Sequence, residues 1–216
     1  MAAPPQAERL TLEGRAGALE ALIEAPATAD SAVAAFGVVC HPHPLYGGTM
    51  DNKVVWALAR AFQELGAATI RFNFRGVGAS PGTHDSGRGE TDDALAVIAH
   101  GRQRWPGAAL WLAGFSFGGV VAIRAAGSAN PARFVAVAPG INKTDVRDAA
   151  PPRCPWLIVQ GDADDVVPPS AVFAWAAARE PAEGVPKPAV KVLPGAGHFF
   201  HGRINELRDA VLGFMS

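Results

Sequence analysis

Little in this chain of 216 residues is charged, and that scarcity excludes several classes of function at the outset. Asp, Glu, Lys and Arg together make up 18% of it and the formal net charge is −1, so no basic stripe is available to hold nucleic acid or an anionic lipid surface. Two cysteines, Cys40 and Cys154, are too few for a disulfide framework. They fall near opposite ends of the strands expected around them, too far apart to bridge, and both are expected as buried thiols. No run approaches the roughly 18 uninterrupted apolar residues of a membrane span, and no basic segment followed by an apolar one opens the chain. A soluble cytoplasmic protein, monomer or homodimer, acting on a small and largely neutral molecule is expected, with neither nucleic acid nor membrane as partner.

What is present is apolar: 49% of residues are hydrophobic, enough for a large core in one domain spanning 1–216. From about residue 33 strand-like and helix-like segments alternate, which indicates a mostly parallel sheet with helices on both faces. Strands are expected at Ala34–Cys40, Ala67–Asn73, Ala108–Ala113, Arg133–Ala138, Trp156–Gln160 and Val190–Leu193. Helices are expected at Asn52–Leu65, Glu90–Arg104, Phe117–Gly127, Ala171–Arg179 and Ile204–Met215. The acidic run Glu90-Thr91-Asp92-Asp93 suits the positive end of a helix dipole. Upstream, Glu8–Glu13 and Gly17–Glu24 read as antiparallel edge strands joined through Gly14-Arg15-Ala16, giving eight strands. Residues 26–31 and 181–188 read as surface loops.

The most informative stretch is the strand that runs into Gly114-Phe115-Ser116-Phe117-Gly118 and out into a helix. A serine hydroxyl attacks carbonyls only if it is exposed, beside a base, and faced by donors for the developing charge; a sharp strand-to-helix turn flanked by glycines supplies the exposure. A base and a carboxylate are both found downstream. The loop after Trp156–Gln160 holds Asp162, Asp164 and Asp165, and the turn after the last strand holds His198, with His201 a competing base. All leave the C-terminal edge of one sheet, where parallel sheets build sites. Only about 17 residues separate the strands ending near Ala138 and starting near Trp156, too few for a helical cap, so the site should be shallow and open.

Other motifs admit plainer readings. His41-Pro42-His43 has the spacing of a metal pair but is followed by Pro-Leu-Tyr-Gly-Gly rather than further ligands, so no metal is expected and His41 should shape its loop through hydrogen bonds. Gly76-Val77-Gly78-Ala79-Ser80-Pro81 looks like half a dinucleotide fingerprint, yet Pro81 and the glycines beyond it keep a helix from starting there, leaving a structural loop bordering the site and no cofactor. Arg71 and Arg75 should form salt bridges that fix this region. Trp56, Trp105, Trp111, Trp156 and Trp175 sit in apolar segments and are expected in the core, whereas Tyr46, Phe199 and Phe200 lie near the site and should line it.

Five motifs in order resemble the α/β-hydrolases, and more narrowly the small capless dienelactone-hydrolase-like serine esterases: His-Pro-His-Pro-Leu-Tyr-Gly-Gly at 41–48, Arg-Gly-Val-Gly-Ala-Ser at 75–80, Gly-Phe-Ser-Phe-Gly-Gly at 114–119, Gly-Asp-Ala-Asp-Asp-Val-Val-Pro at 161–168 and Gly-His-Phe-Phe-His-Gly at 197–202. The resemblance covers nearly the whole chain. It implies an α/β-hydrolase fold, Ser116 as nucleophile, His198 as general base and then acid, and Asp164, matching Gly-x-x-Asp-x-x-Val-Pro, as the carboxylate that orients His198, with Asp162 and Asp165 as alternatives. One oxyanion donor should be the N–H of Phe117. Pro42 and Pro44 have no N–H, so the second must be His43 or a later residue such as Leu45, and the resemblance favours His43. Tyr46 and Phe199 are the expected substrate-binding residues. The implied activity is hydrolysis of carboxylic esters, short-acyl because no cap encloses a long chain; a thioesterase, acyltransferase or serine peptidase would use the same machinery, and a non-catalytic binding protein could share the fold. The serine nucleophile departs from the best-known lactone-opening members, which use cysteine.

Overall fold

A strand that is apolar at every position needs cover on both faces, and Ala35–Cys40 (β3) is buried at all six of its residues. In the computed structural model, which describes residues 6–25, 33–179 and 183–216, β3 lies centrally in a sheet of eight strands. The strands are β1 (Gln6–Gly14), β2 (Gly17–Ala25), β3, β4 (Ala68–Phe72), β5 (Ala109–Phe115), β6 (Arg133–Val137), β7 (Trp156–Gly161) and β8 (Ala189–Leu193), in the spatial order β1-β2-β4-β3-β5-β6-β7-β8. β1 and β2 are antiparallel, as are β2 and β4, and every later pairing is parallel. This is the α/β-hydrolase architecture expected, with no helix or strand in residues 138–155 between β6 and β7 and hence no cap.

Alternation along β3 divides the core. Phe36, Val38 and Cys40 join a cluster with Val97 and Ile98 of α2 (Arg88–Arg104), Val120 and Ile123 of α3 (Phe117–Ala129) and Val172 of α4 (Pro169–Ala177). Ala35 and Val39 face the other way, into a cluster with Val54, Leu58 and Phe62 of α1 (Lys53–Glu64) and Leu207 and Val211 of α5 (Ile204–Met215). The Asn52 side chain starts α1 by accepting the Val54 N–H at 2.9 Å.

Several details differ from the sequence reading. β5 runs on to Phe115, so the turn follows it without a linker. α2 begins at Arg88, ahead of the acidic run, because Glu90 is buried in its first turn and its carboxylate reaches back to accept the N–H groups of Asp85 and Gly87, both at 2.8 Å. α4 begins at Pro169, where a missing N–H costs nothing. Of the tryptophans, Trp156 is buried and Trp105, Trp111 and Trp175 pack half-buried against the core. Trp56 is a correction: it is 48% exposed, since the inward stripe of α1 is filled by its neighbours, and it lies beside Arg60 one turn on. The loop expected at 26–31 lies outside the described residues, as do 181 and 182 of the one expected at 181–188.

Phe62 is fully buried, packs edge-on against Trp111 at 5.5 Å between ring centroids, and occupies the space a side chain at Gly37 would need. Phe62→Ala is expected to lower unfolding free energy by about 3–5 kcal/mol, read as a lower urea midpoint with unchanged slope; a loss under about 1 kcal/mol would contradict this packing.

Candidate active site

The turn after β5 requires backbone to touch backbone. A side chain at Gly114 would meet the carbonyl of Gly118, and one at Gly118 would meet the carbonyls of Cys40 and His41, so both positions admit only glycine at this approach of α3 to β5 and to the loop after β3. Between them Ser116 sits at φ 55°, ψ −116°, a conformation rare for a residue with a side chain. Its N–H donates to the Val137 carbonyl and its own carbonyl accepts from Gly140 N–H at 3.1 Å, bonds that hold the unfavourable geometry in place.

His198 follows β8 in a turn and lies over Phe115, ring centroids 5.0 Å apart. Its Nε2 is 3.0 Å from Ser116 Oγ and its Nδ1 is 2.8 Å from Asp164 Oδ2, an unbroken row from hydroxyl to carboxylate. Asp164 is fixed from all sides: Oδ1 accepts the N–H groups of Val166 and Val167, at 2.9 and 2.8 Å, while Oδ2 also accepts from Gln160 Nε2 at 2.9 Å. Burial raises the pKa of this carboxyl, but the bonds from His198 and from Val167 and Val166 outweigh it and hold the group below the ordinary carboxylate range. Asp162 instead accepts the Gly195 N–H and Asp165 is exposed, while His201 is turned to Lys53, its Nδ1 2.8 Å from the ammonium. Of the alternatives, the structure thus brings Asp164 and His198 to Ser116. With Nδ1–H donated to a carboxylate, Nε2 is left free to accept a proton from the hydroxyl.

Two backbone donors belong to residues that line one cavity with Ser116, namely Phe117 and His43. The Phe117 N–H, at the first helical position of α3, has no acceptor among the described residues. In the loop after β3 the Leu45 N–H donates to Nδ1 of the His43 ring at 3.3 Å, which leaves the His43 N–H as the unpaired donor of the two. That loop is anchored by His41. Fully buried, His41 donates from Nδ1 to the Pro42 carbonyl at 2.6 Å and accepts the Phe74 N–H at Nε2 at 3.0 Å. Both ring nitrogens are occupied in the neutral form, and burial pushes the pKa down to about 4, against the smaller upward pull of the Pro42 bond. The segment Gly76–Ser80 stands behind this loop rather than at the cavity: Ser80 Oγ donates to the Asn73 carbonyl, and Asn73 Oδ1 accepts the Met50 N–H. Arg75 grips Asp93 through both carboxylate oxygens, and Arg71 binds Glu24 and the Met50 carbonyl, the salt bridges expected of them.

A cavity of about 270 Å³ opens over Ser116 and His198. Tyr46, 84% exposed, and Phe199 line it as expected. Phe200 is a correction: at φ 49° the chain turns it inward, where it is fully buried against Phe115 and the core. Val166, Lys143 and Thr144 also line the cavity, and the sequence reading passed over them. Val166 follows the carboxylate loop closely enough to have been inferred from it; the residues of the β6–β7 connection carry no pattern that marks them. A larger depression, about 460 Å³, lies beside Arg102, Arg153 and Cys154 at the other edge of the sheet, where burial pushes the Cys154 thiol up to about 11. Cys40 and Cys154 are both free and buried.

Residues 44–152 match a family model described as serine aminopeptidase, S33 (Hydrolase_4). The chain is similar to an uncharacterized protein of Rickettsia prowazekii (strain Madrid E), 35% identical over 195 residues that cover 88% of this chain and 82% of that one. Among solved structures it is similar to an α/β serine hydrolase without lid from Xanthomonas campestris, with 40% identity, TM-score 0.90 and coverage of 100% and 96% of the two chains. A second, an α/β serine hydrolase homologue from Coxiella burnetii, shows 41% identity, TM-score 0.88 and 97% coverage of each. Among the described residues no helix is long and apolar enough to cross a membrane.

The neutral His41 latch makes stability depend on pH. Between its depressed value of about 4 and the ordinary 6.5, the unfolded chain takes up a proton that the folded chain does not, so stability is full above that window and falls with acidification through it. By urea unfolding the loss from about pH 6.5 to 4 is expected to reach up to roughly 3 kcal/mol, and to be smaller in His41→Gln. Equal pH slopes in the two proteins would refute the latch.

Proposed function

This chain belongs to the α/β serine hydrolases without a lid, and we propose on that premise that it hydrolyses carboxylic esters of short acyl chain through an acyl-enzyme on Ser116. The observation that carries the reading is the row Ser116–His198–Asp164, with links of 3.0 and 2.8 Å, beneath an open cavity. Ser116 Oγ attacks the ester carbonyl as its proton passes to His198 Nε2, and the imidazolium so formed is stabilised by Asp164 through Nδ1–H. The N–H groups of Phe117 and His43 receive the oxyanion, a contribution of about 10²–10³ in rate for each donor. His198 then gives its proton to the departing alkoxide, and water, activated by the same imidazole, releases the acid and restores the serine.

Cavity size and lining narrow the substrate. About 270 Å³ is small for a ligand pocket, and without a cap the walls beyond it are open, which favours short acyl groups held against Tyr46 and Phe199. An aminopeptidase, the activity named in the matching family description, must hold a free α-ammonium and so calls for a carboxylate in the wall. Among the described residues no Asp or Glu lines this cavity; the cationic side chain in its wall is that of Lys143. That argues for an ester over a peptide N-terminus.

A screen of p-nitrophenyl esters, thioesters, lactones and aminoacyl amides tests the proposal. Activity is expected to fall from acetate and butyrate toward long-chain esters, and a steady rise with chain length would overturn it. Ser116→Ala is expected to lose about four to six orders of magnitude in kcat, and Asp164→Asn about four, with circular dichroism unchanged. Failure of a fluorophosphonate to label Ser116 at neutral pH would favour a binding protein of the same fold.

A further inference from the structure

The cavity over Ser116 does not end at His43 and Phe117. These two residues, with Lys143 and Thr144, also line a second groove of about 490 Å³, so the cleft continues past the ring of Phe117 toward the start of α2. The two arms differ in character. The first is walled by Tyr46, Val166 and Phe199, whereas the second is flanked by Arg88 and Arg124, and Lys143 stands where they join.

The balance of charge in the second arm is positive. Lys143 and Arg88 have no ion-pair or hydrogen-bond partner for their cationic ends among the described residues. Arg124 is held by the carbonyls of Ser86 and Asp145, neutral acceptors that position the guanidinium without cancelling its charge. Of the two carboxylates of the arm, Asp145 is gripped through both oxygens by Arg147, whose charge offsets its own, whereas Asp85 accepts the neutral Gly89 N–H at 3.0 Å and keeps its charge, so Lys143, Arg88 and Arg124 together outweigh it. Glu90, buried beneath, is taken up by the N–H groups of Asp85 and Gly87 and faces His84.

We propose that this arm is a subsite for a carboxylate carried by the substrate, with Lys143 the residue that determines specificity, so that the ester hydrolysed is an acidic half-ester rather than a neutral one. The inference rests on the ester-hydrolase reading and sharpens it. The apolar arm takes the uncharged portion of the molecule, and the ammonium of Lys143 receives the anionic end beside the reacting carbonyl. Arg124 and Arg88 extend the positive field along the groove, which favours encounter with anions at low ionic strength.

Mono-p-nitrophenyl glutarate and its methyl ester differ in one charge and test an anion in the acyl portion; 4-acetoxybenzoate and its methyl ester test one in the leaving group. In at least one pair the anion is expected to have a kcat/KM roughly five- to tenfold higher at low salt, with the ratio shrinking as ionic strength rises. Lys143→Glu is expected to abolish or invert that ratio, and Lys143→Arg to retain it. Ratios at or below one in both pairs for the unaltered protein, or a ratio unchanged in Lys143→Glu, would overturn the proposal while leaving the ester-hydrolase reading intact. Should no ester be turned over, that reading fails, and calorimetric binding of the same pairs to the Ser116→Ala protein still decides this one: equal affinity for anion and neutral partner overturns it.

Discussion

The site depends on how closely α3 approaches the central strands. With Gly118 against the carbonyls of Cys40 and His41, and Gly114 against Gly118, the start of the helix sits where any side chain would hold it off. The approach forces Ser116 into a backbone conformation that costs on the order of 1–3 kcal/mol, and the surrounding sheet opposes that strain with bonds to Val137 and Gly140. Its returns are geometric. The hydroxyl projects from the end of β5, the Phe117 N–H is left unpaired at the positive end of a helix, and the loop after β3 is drawn alongside.

That loop has its own constraint, which explains a histidine where a metal ligand could have been suspected. His41 bridges the Pro42 carbonyl and the Phe74 N–H, so the β3 and β4 loops are tied by one neutral ring. The chain beyond β4 continues the attachment through Asn73 to Met50 and through Ser80 to Asn73. The glycine-rich stretch that resembled a phosphate cradle is therefore the brace behind the His43 loop. Prolines at 42 and 44 then remove competing donors from a segment in which the N–H groups of Leu45, Tyr46, Gly47 and Gly48 are taken up within the loop, which leaves that of His43.

Much of this was legible from the residues, for identifiable reasons. Buried parallel strands announce themselves as short apolar runs, and Gly-x-Ser-x-Gly between strand and helix has few other uses. The choice among Asp162, Asp164 and Asp165 was harder from sequence because it turns on a loop in which each carboxylate could cap a backbone N–H. Asp164 is distinguished by capping Val166 and Val167 with one oxygen while its other faces His198. Trp56 and Phe200 went astray in opposite directions. Apolar character alone placed Trp56 inside, although the inward stripe of α1 was already full, and proximity alone placed Phe200 at the cavity, although one residue of turn sends it into the core. Lys143 was invisible because a lone cation in an irregular connection has no pattern; only the fold sets it in the wall of the cavity that Ser116 shares.

The missing cap links these observations. An enclosed hydrolase can select its substrate by sealing it from water, whereas a serine at the open end of a sheet must select with whatever the loops around it present. Among the described residues those loops present aromatic faces at Tyr46 and Phe199 on one side and an unpaired ammonium at Lys143 on the other, with no carboxylate in the wall between. Cations near the reacting carbonyl also suit the chemistry itself, since negative charge develops there as the tetrahedral intermediate forms. A carboxylate in the same wall would oppose that charge and raise the proton affinity of His198. The one carboxylate that the reaction needs, Asp164, is instead set behind the imidazole, where its charge acts on His198 and its oxygens are filled by Gln160 and the Val166 and Val167 N–H groups.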